Sequence, residues 1–329
     1  MKFPVDSHRE GKRRTDVFGK QRPRVALFRA LPVILLLALT LGIAGCSSPN
    51  APTPTLSLTP TVTPTPTSPK PANPEVILAT TTSTADTGLL DALLPMFESK
   101  TGYKVKPIAV GSGQAMTLGE RGEADVLLVH SPDAEVAFMQ AGHGINRKLV
   151  MHNYFVIVGP ATDPARIKGM TSAIDAFKKI AAAKAIFISR GDKSGTDAME
   201  KGLWAQAGIN PEGQSWYQVT GQGMGATLTI TSEKQAYTLS DRGTYLKTKQ
   251  NLGLTVLAEG DPILINVYHV IQVNPQKSTK INADGAKAFS DFIVDPATQK
   301  FISTFGVDQY GQAFFIPDAG KTEAELGTK

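Results

Sequence analysis

Ala185-Ile186-Phe187-Ile188-Ser189-Arg190-Gly191-Asp192-Lys193-Ser194-Gly195-Thr196 is the stretch on which the reading of this chain turns. Its apolar start reads as a buried strand. The residues after it, Asp197 to Trp204, read as a helix with apolar positions at i, i+4 and i+5. A strand that ends in arginine, small residues and hydroxyls just before a helix gathers donors at one point. They are a guanidinium, two hydroxyls and the free amides of the helix start, where the partial positive charge favours an anion. A plainer alternative makes Ser194 or Thr196 only a helix N-cap.

The same design occurs twice more. Val76-Ile77-Leu78-Ala79 leads into Thr80-Thr81-Thr82-Ser83-Thr84, ahead of a helical run from Gly88 to Phe97. Lys106-Pro107-Ile108-Ala109-Val110 leads into Gly111-Ser112-Gly113-Gln114, where glycine lets backbone approach a ligand closely. In an α/β sheet, three such turns converge outside the carboxyl ends of the strands. That edge suits a small, multiply charged oxyanion.

The formal charge of +5 says little about the folded part. Nine of the 34 Lys/Arg and three of the 29 Asp/Glu lie in residues 1–30, which leaves 25 and 26 beyond them. A basic patch for nucleic acid has no support there. The basic start leads into the uncharged run Leu31–Gly45, shorter than a bilayer-spanning helix and ending in small residues, as a secretory signal does. Ile43-Ala44-Gly45-Cys46 resembles the bacterial lipobox, so residues 1–45 are expected to be cleaved and Cys46 lipidated. Cys46 is the single cysteine, which excludes an internal disulfide and a multi-cysteine metal site. Residues 49–74 hold nine Pro and seven Thr, so 46–74 is read as an extended tether.

Alternating strands and helices from residue 75 onward predict an α/β fold. Asn153–Pro160 and Ile265–Pro275, both apolar and both ending at proline, read as crossings between two lobes. Lobe 1 is assigned 75–159 and 263–329, and lobe 2 is assigned 160–262. Catalytic signatures are missing. His130, His143, His152 and His269 have no i, i+4 pairing, there is no Gly-x-Ser-x-Gly elbow, and no enzyme or metal site is expected.

Over nearly all of residues 75–320 the chain resembles the tungstate-binding proteins of bacterial ABC importers. The similar segments are Ala79–Thr84, Gly119–Pro132, Ser189–Thr196, Gly221–Leu228 and Tyr237–Tyr245. The resemblance implies a two-lobed type II periplasmic-binding-protein fold with the ligand in the cleft between lobes. It also implies tungstate, with molybdate as a second candidate, and no cofactor. The partners implied are a membrane permease and an ATPase. Carried onto this sequence, the oxyanion ligands are Thr81, Thr82 or Ser83 in the first turn, Ser112 in the second, and Arg190, Ser194, Gly195 and Thr196 in the third. Backbone amides of Gly223, Met224 and Gly225 are further candidates. Asp197 stands where the family often has histidine; it is expected to face solvent or serve the helix start. Asp86 also suits a helix first turn, and Asp192 suits a salt bridge to Arg190. Asp241-Arg242 reads as an ion pair or a lobe contact. Rival readings are phosphate or molybdate binding in the same fold, and an anion-sensing lipoprotein.

Overall fold

The structure, a computed structural model, describes residues 71–327; the signal segment, Cys46 and most of the tether lie outside the described residues. The first elements are β1 (Glu75–Thr81), α1 (Thr82–Asp86), α2 (Leu89–Thr101), β2 (Lys104–Val110), α3 (Ser112–Glu120), β3 (Val126–Val129), α4 (Pro132–Gln140) and β4 (Gly144–Pro160). Next come α5 (Ala173–Ala182), β5 (Phe187–Ser189), α6 (Gly195–Gln206), β6 (Tyr217–Val219), α7 (Met224–Glu233), β7 (Thr238–Asp241), α8 (Arg242–Thr248) and β8 (Leu254–Ala258). The chain returns through β9 (Ile265–Val273) and ends with α9 (Ala283–Val294), α10 (Pro296–Thr304), α11 (Val307–Tyr310) and β10 (Ile316–Pro317).

The sheet of the first lobe runs β10-β4-β9-β3-β1-β2, with β1 parallel to both its neighbours and β9 antiparallel to β3. Since β2 and β3 flank β1, the chain switches direction across the sheet beside β1, which is where α/β sheets open a crevice. Side chains alternate across the sheet. Val126 and Leu128 of β3 join one apolar cluster with Phe97 and Phe289, while Leu127 and Val129 join another with Met116 and Phe138. All four β3 residues are buried, as expected of a strand covered on both faces.

β4 serves both lobes. Up to Tyr154 it pairs with β9; from Phe155 it pairs with β7 and then β8. The exchange of partners therefore lies inside the strand. Val156 and Val158 point into the large apolar cluster that includes Leu78 and Tyr268, whereas Phe155 and Ile157 point into the second lobe's own cluster. That cluster is aromatic, with Trp204 set 4.4 Å from Phe177 and 5.2 Å from Phe187 between ring centres. α5 closes it with Ala173, Ala176, Phe177 and Ile180, an i, i+3, i+4, i+7 stripe, behind a Ser172 N-cap.

The three strand-to-helix turns are all present, with two differences. β5 pairs with β6 in a separate two-stranded sheet, so the turns come from two sheets and do not share one sheet edge. The hydroxyl run does not open a single helix: Thr80 and Thr81 finish β1, and Thr82–Asp86 forms the short α1. Gly88, at φ 79°, then separates α1 from α2. Asp86 is thus the last residue of α1, not a first-turn residue.

Candidate oxyanion-binding site

The turns after β1, β2 and β5 meet where the two lobes close on each other. Arg190 follows β5 and is only 2% exposed. Its Nη2 donates to Thr82 Oγ1 of the first lobe at 3.0 Å and to Asp192 Oδ2 at 2.5 Å, and its Nη1 donates to Thr196 Oγ1 at 3.4 Å. The salt bridge expected between Asp192 and Arg190 is therefore present. Arg190 Nε and Ser112 Oγ are buried without a hydrogen-bond partner among the described residues.

Glycines set how closely the lobes approach. A Cβ on Gly195 would lie 2.4 Å from the carbonyl oxygen of His130, and one on Gly111 would lie 3.0 Å from that of Asp192. Gly113 N donates to Lys193 O across the same seam. Ser194 caps α6, its hydroxyl oxygen accepting from Asp197 N at 3.2 Å, so the N-cap reading holds for Ser194. Thr196 instead offers its oxygen to Arg190.

Of the first-turn hydroxyls, Thr81 caps α1 through Thr84 N and lies 2.7 Å from Thr84 Oγ1, and Ser83 lies 3.2 Å from His130 Nε2. The second-lobe glycine loop packs on this turn, with Gly223 against Thr82 and buried Met224 starting α7. Gly225 departs from its expected role: its N–H donates to Asp86 Oδ2 at 3.2 Å, tying the lobes together instead of facing a ligand. Thr244 adds a second tie, donating from Oγ1 to Ser83 O.

The acidic groups around the turns are engaged with the protein. Asp197 does not face solvent. It is 3% exposed and accepts from Gly191 N, Lys193 N and Lys201 Nζ, each at 3.1 Å, which shapes the loop that carries Arg190. Asp241 and Arg242 do not pair with each other: Asp241 caps α8 through Thr244 N, and Arg242 pairs with Glu259. Burial pushes the Asp241 carboxyl up to about 6, and its Oδ1 has no partner among the described residues. Burial also raises Asp86, against the pull of Gly225 N–H and the Arg190 charge.

His130, Asn266, Asn153 and Glu200 join the site without having been singled out for it by the sequence. His130 follows β3, and the strand-end rule that found the other turns applies to it as well. Asn153 and Asn266, paired in register on β4 and β9, sit inside apolar runs. Glu200 is buried behind Ser189, which donates to it at 2.5 Å; Trp204 and Tyr217 donate to its other oxygen. Burial pushes its carboxyl up to about 7.

A family model described as a PBP superfamily domain matches residues 67–297. The chain belongs to the PBP superfamily. Within that superfamily, the tungstate-binding protein TupA of Peptoclostridium acidaminophilum is 46% identical over 297 residues, covering 90% of this chain and 99% of that protein. Among solved structures, the tungstate-binding TupA of Desulfovibrio alaskensis G20 is 49% identical, with a TM-score of 0.64 over 75% of this chain and 99% of that one. The tungstate ABC transporter structure from Geobacter sulfurreducens is 47% identical, with a TM-score of 0.65 over 70% and 98% of the two chains. This PBP superfamily chain and the TupA proteins are members of one family.

Proposed function

We propose that this protein is the extracytoplasmic binding component of an ABC importer and that it captures tungstate, with molybdate as a second ligand. The observation behind this reading is the balance of donors and acceptors at the closed seam. Arg190 and Ser112 keep unspent donors, whereas Asp86, Asp192 and Asp197 are occupied by protein N–H groups. A fully deprotonated oxyanion offers only acceptors, so a donor-rich site suits it. The names of the relatives support the same ligand.

Thr82, Ser112, Arg190, Ser194 and Thr196 would hold the anion from both lobes, with Gly195 allowing the close approach. Lobe closure then excludes water and strengthens each contact. The closed form is what a permease and its ATPase would receive. Lipidation at Cys46 would keep the protein at the membrane, and among the described residues no helix is long and apolar enough to cross one.

Asp241 favours a second reading. Its unpartnered Oδ1 is an acceptor that could take the proton of hydrogen phosphate. Competition calorimetry at neutral pH separates the two readings. Tungstate should bind far more tightly than phosphate, and Asp241→Asn should leave that order intact. Tight phosphate binding that Asp241→Asn abolishes, with no tungstate heat, would overturn the tungstate reading.

A further inference from the structure

The hydroxyl run Thr80–Thr84 offers five side-chain donors, and the structure decides where most of their protons go. Thr80 Oγ1 donates to Leu128 O at 2.9 Å. Thr81 Oγ1 has two hydroxyl neighbours, Thr84 Oγ1 at 2.7 Å and Ser83 Oγ at 3.2 Å, and both belong to the same turn. The direction of that chain is set further on, by a histidine.

His130 is buried, with its ring stacked on Tyr268 at 4.6 Å between centres. Its Nδ1 lies 2.8 Å from Asn266 Oδ1 and its Nε2 lies 3.2 Å from Ser83 Oγ. The Asn266 amide nitrogen is engaged elsewhere, donating to Asn153 Oδ1 at 2.8 Å and to the Tyr268 hydroxyl at 2.9 Å. Its oxygen can only accept, so His130 Nδ1 carries the proton. A neutral imidazole has a single N–H, which leaves Nε2 as an acceptor for the Ser83 hydroxyl. Burial supports the neutral form, pushing the imidazole down to about 4.

We propose that His130, fixed by Asn266, is a positioning residue that draws the Ser83 proton away from the ligand, so that Thr82 is the first-turn hydroxyl that donates to the anion. Thr82 fits that role. Its oxygen already accepts from Arg190 Nη2, so its own proton points to another acceptor. Ser83 and Thr81 then serve the turn, holding its shape through a one-way chain that runs Thr81, Ser83, His130, Asn266, Asn153. The last two lie on β9 and β4, which pair with each other, so the ligand-binding turn is anchored to the strand that both lobes share.

The proton position can be read directly. In the full mature chain, labelled with nitrogen-15, long-range proton–nitrogen correlation at pH 7 should show His130 neutral with its proton on Nδ1, with and without sodium tungstate. A proton on Nε2, or an imidazolium, overturns the proposal. This arm needs no ligand, so it stands even if wild type gives no tungstate heat and the tungstate reading fails.

The affinity arm rests on that reading. In tungstate calorimetry His130→Phe should bind about ten-fold more weakly, and His130→Gln, which keeps an acceptor for Ser83, should regain most of the loss. Ser83→Ala combined with His130→Phe should be no weaker than the worse single variant, because both remove one bond. Thr82→Ala should also lose about ten-fold or more, and that loss should add in full to the loss of His130→Phe. Additive losses for Ser83 and His130, or unchanged binding by Thr82→Ala, would contradict the assignment.

Discussion

Arg190 is the residue on which the charge balance of the cleft rests. It is buried, bridges the lobes through Thr82, and is held by Asp192. Charge-assisted bonds to an anion are the strongest hydrogen bonds available here. Arg190→Ala should weaken tungstate binding by about 2 kcal/mol or more, measured by calorimetry. Lys193 is exposed and contributes to the seam through its backbone carbonyl, which accepts from Gly113 N. Lys193→Ala should change affinity by less than about 0.5 kcal/mol. Equal affinities for wild type and Arg190→Ala would move the site elsewhere. Glu200 gives a residue-level prediction about pH. Burial lifts its carboxyl from 4.5 to about 7, so between these values the folded state keeps a proton that the unfolded chain has released. The stabilisation from this group is complete below about pH 4.5 and is lost as pH rises toward 7. The stability of wild type relative to Glu200→Gln, from thermal melts, should therefore fall between pH 5 and pH 8. A difference that grew with pH would mean that the carboxylate is ionised in the fold.

The turn that opens α6 shows how an element can fix a motion. Gly195 has ordinary backbone angles, yet a Cβ there would meet the His130 carbonyl at 2.4 Å, a backbone group that cannot swing aside. Gly195→Ala should leave the ligand-free melting temperature nearly unchanged and weaken tungstate binding ten-fold or more. Small-angle scattering with saturating tungstate should then report a larger radius of gyration than for wild type. An unchanged affinity would mean that the lobes bind without closing this tightly. Much of this element was legible in the sequence, because an apolar strand, an arginine and a hydroxyl cap lie next to one another in the chain. The engagement of Asp197 was not legible: only folding brings the Gly191 and Lys193 amides to its carboxylate. The same holds for Gly225, whose amide looked available until Asp86 arrived from the other lobe. Local order reveals which groups can donate. Which donors are already spent depends on contacts between distant segments.

At the scale of the whole molecule, the N-terminal segment is where an address is expected. The uncharged run before Cys46 motivates the expectation of a lipid-anchored protein. A Cys46→Ser variant should appear in the soluble fraction or accumulate as unprocessed precursor when cells are fractionated. A normally processed species that stays with the membranes would count against lipidation. The two proline-terminated apolar runs mark parts of β4 and β9, but the place where β4 changes partners was not legible, since Tyr154 and Phe155 both lie inside one run with no turn residue between them. β4 has one more consequence. It is a structural strand of both sheets, and its Val156 and Val158 share an apolar cluster with first-lobe residues such as Leu78 and Phe289. Neither half can lose its order without stripping a central strand from the other. Differential scanning calorimetry should accordingly show one transition in which calorimetric and van't Hoff enthalpies agree, two lobes behaving as a single cooperative unit.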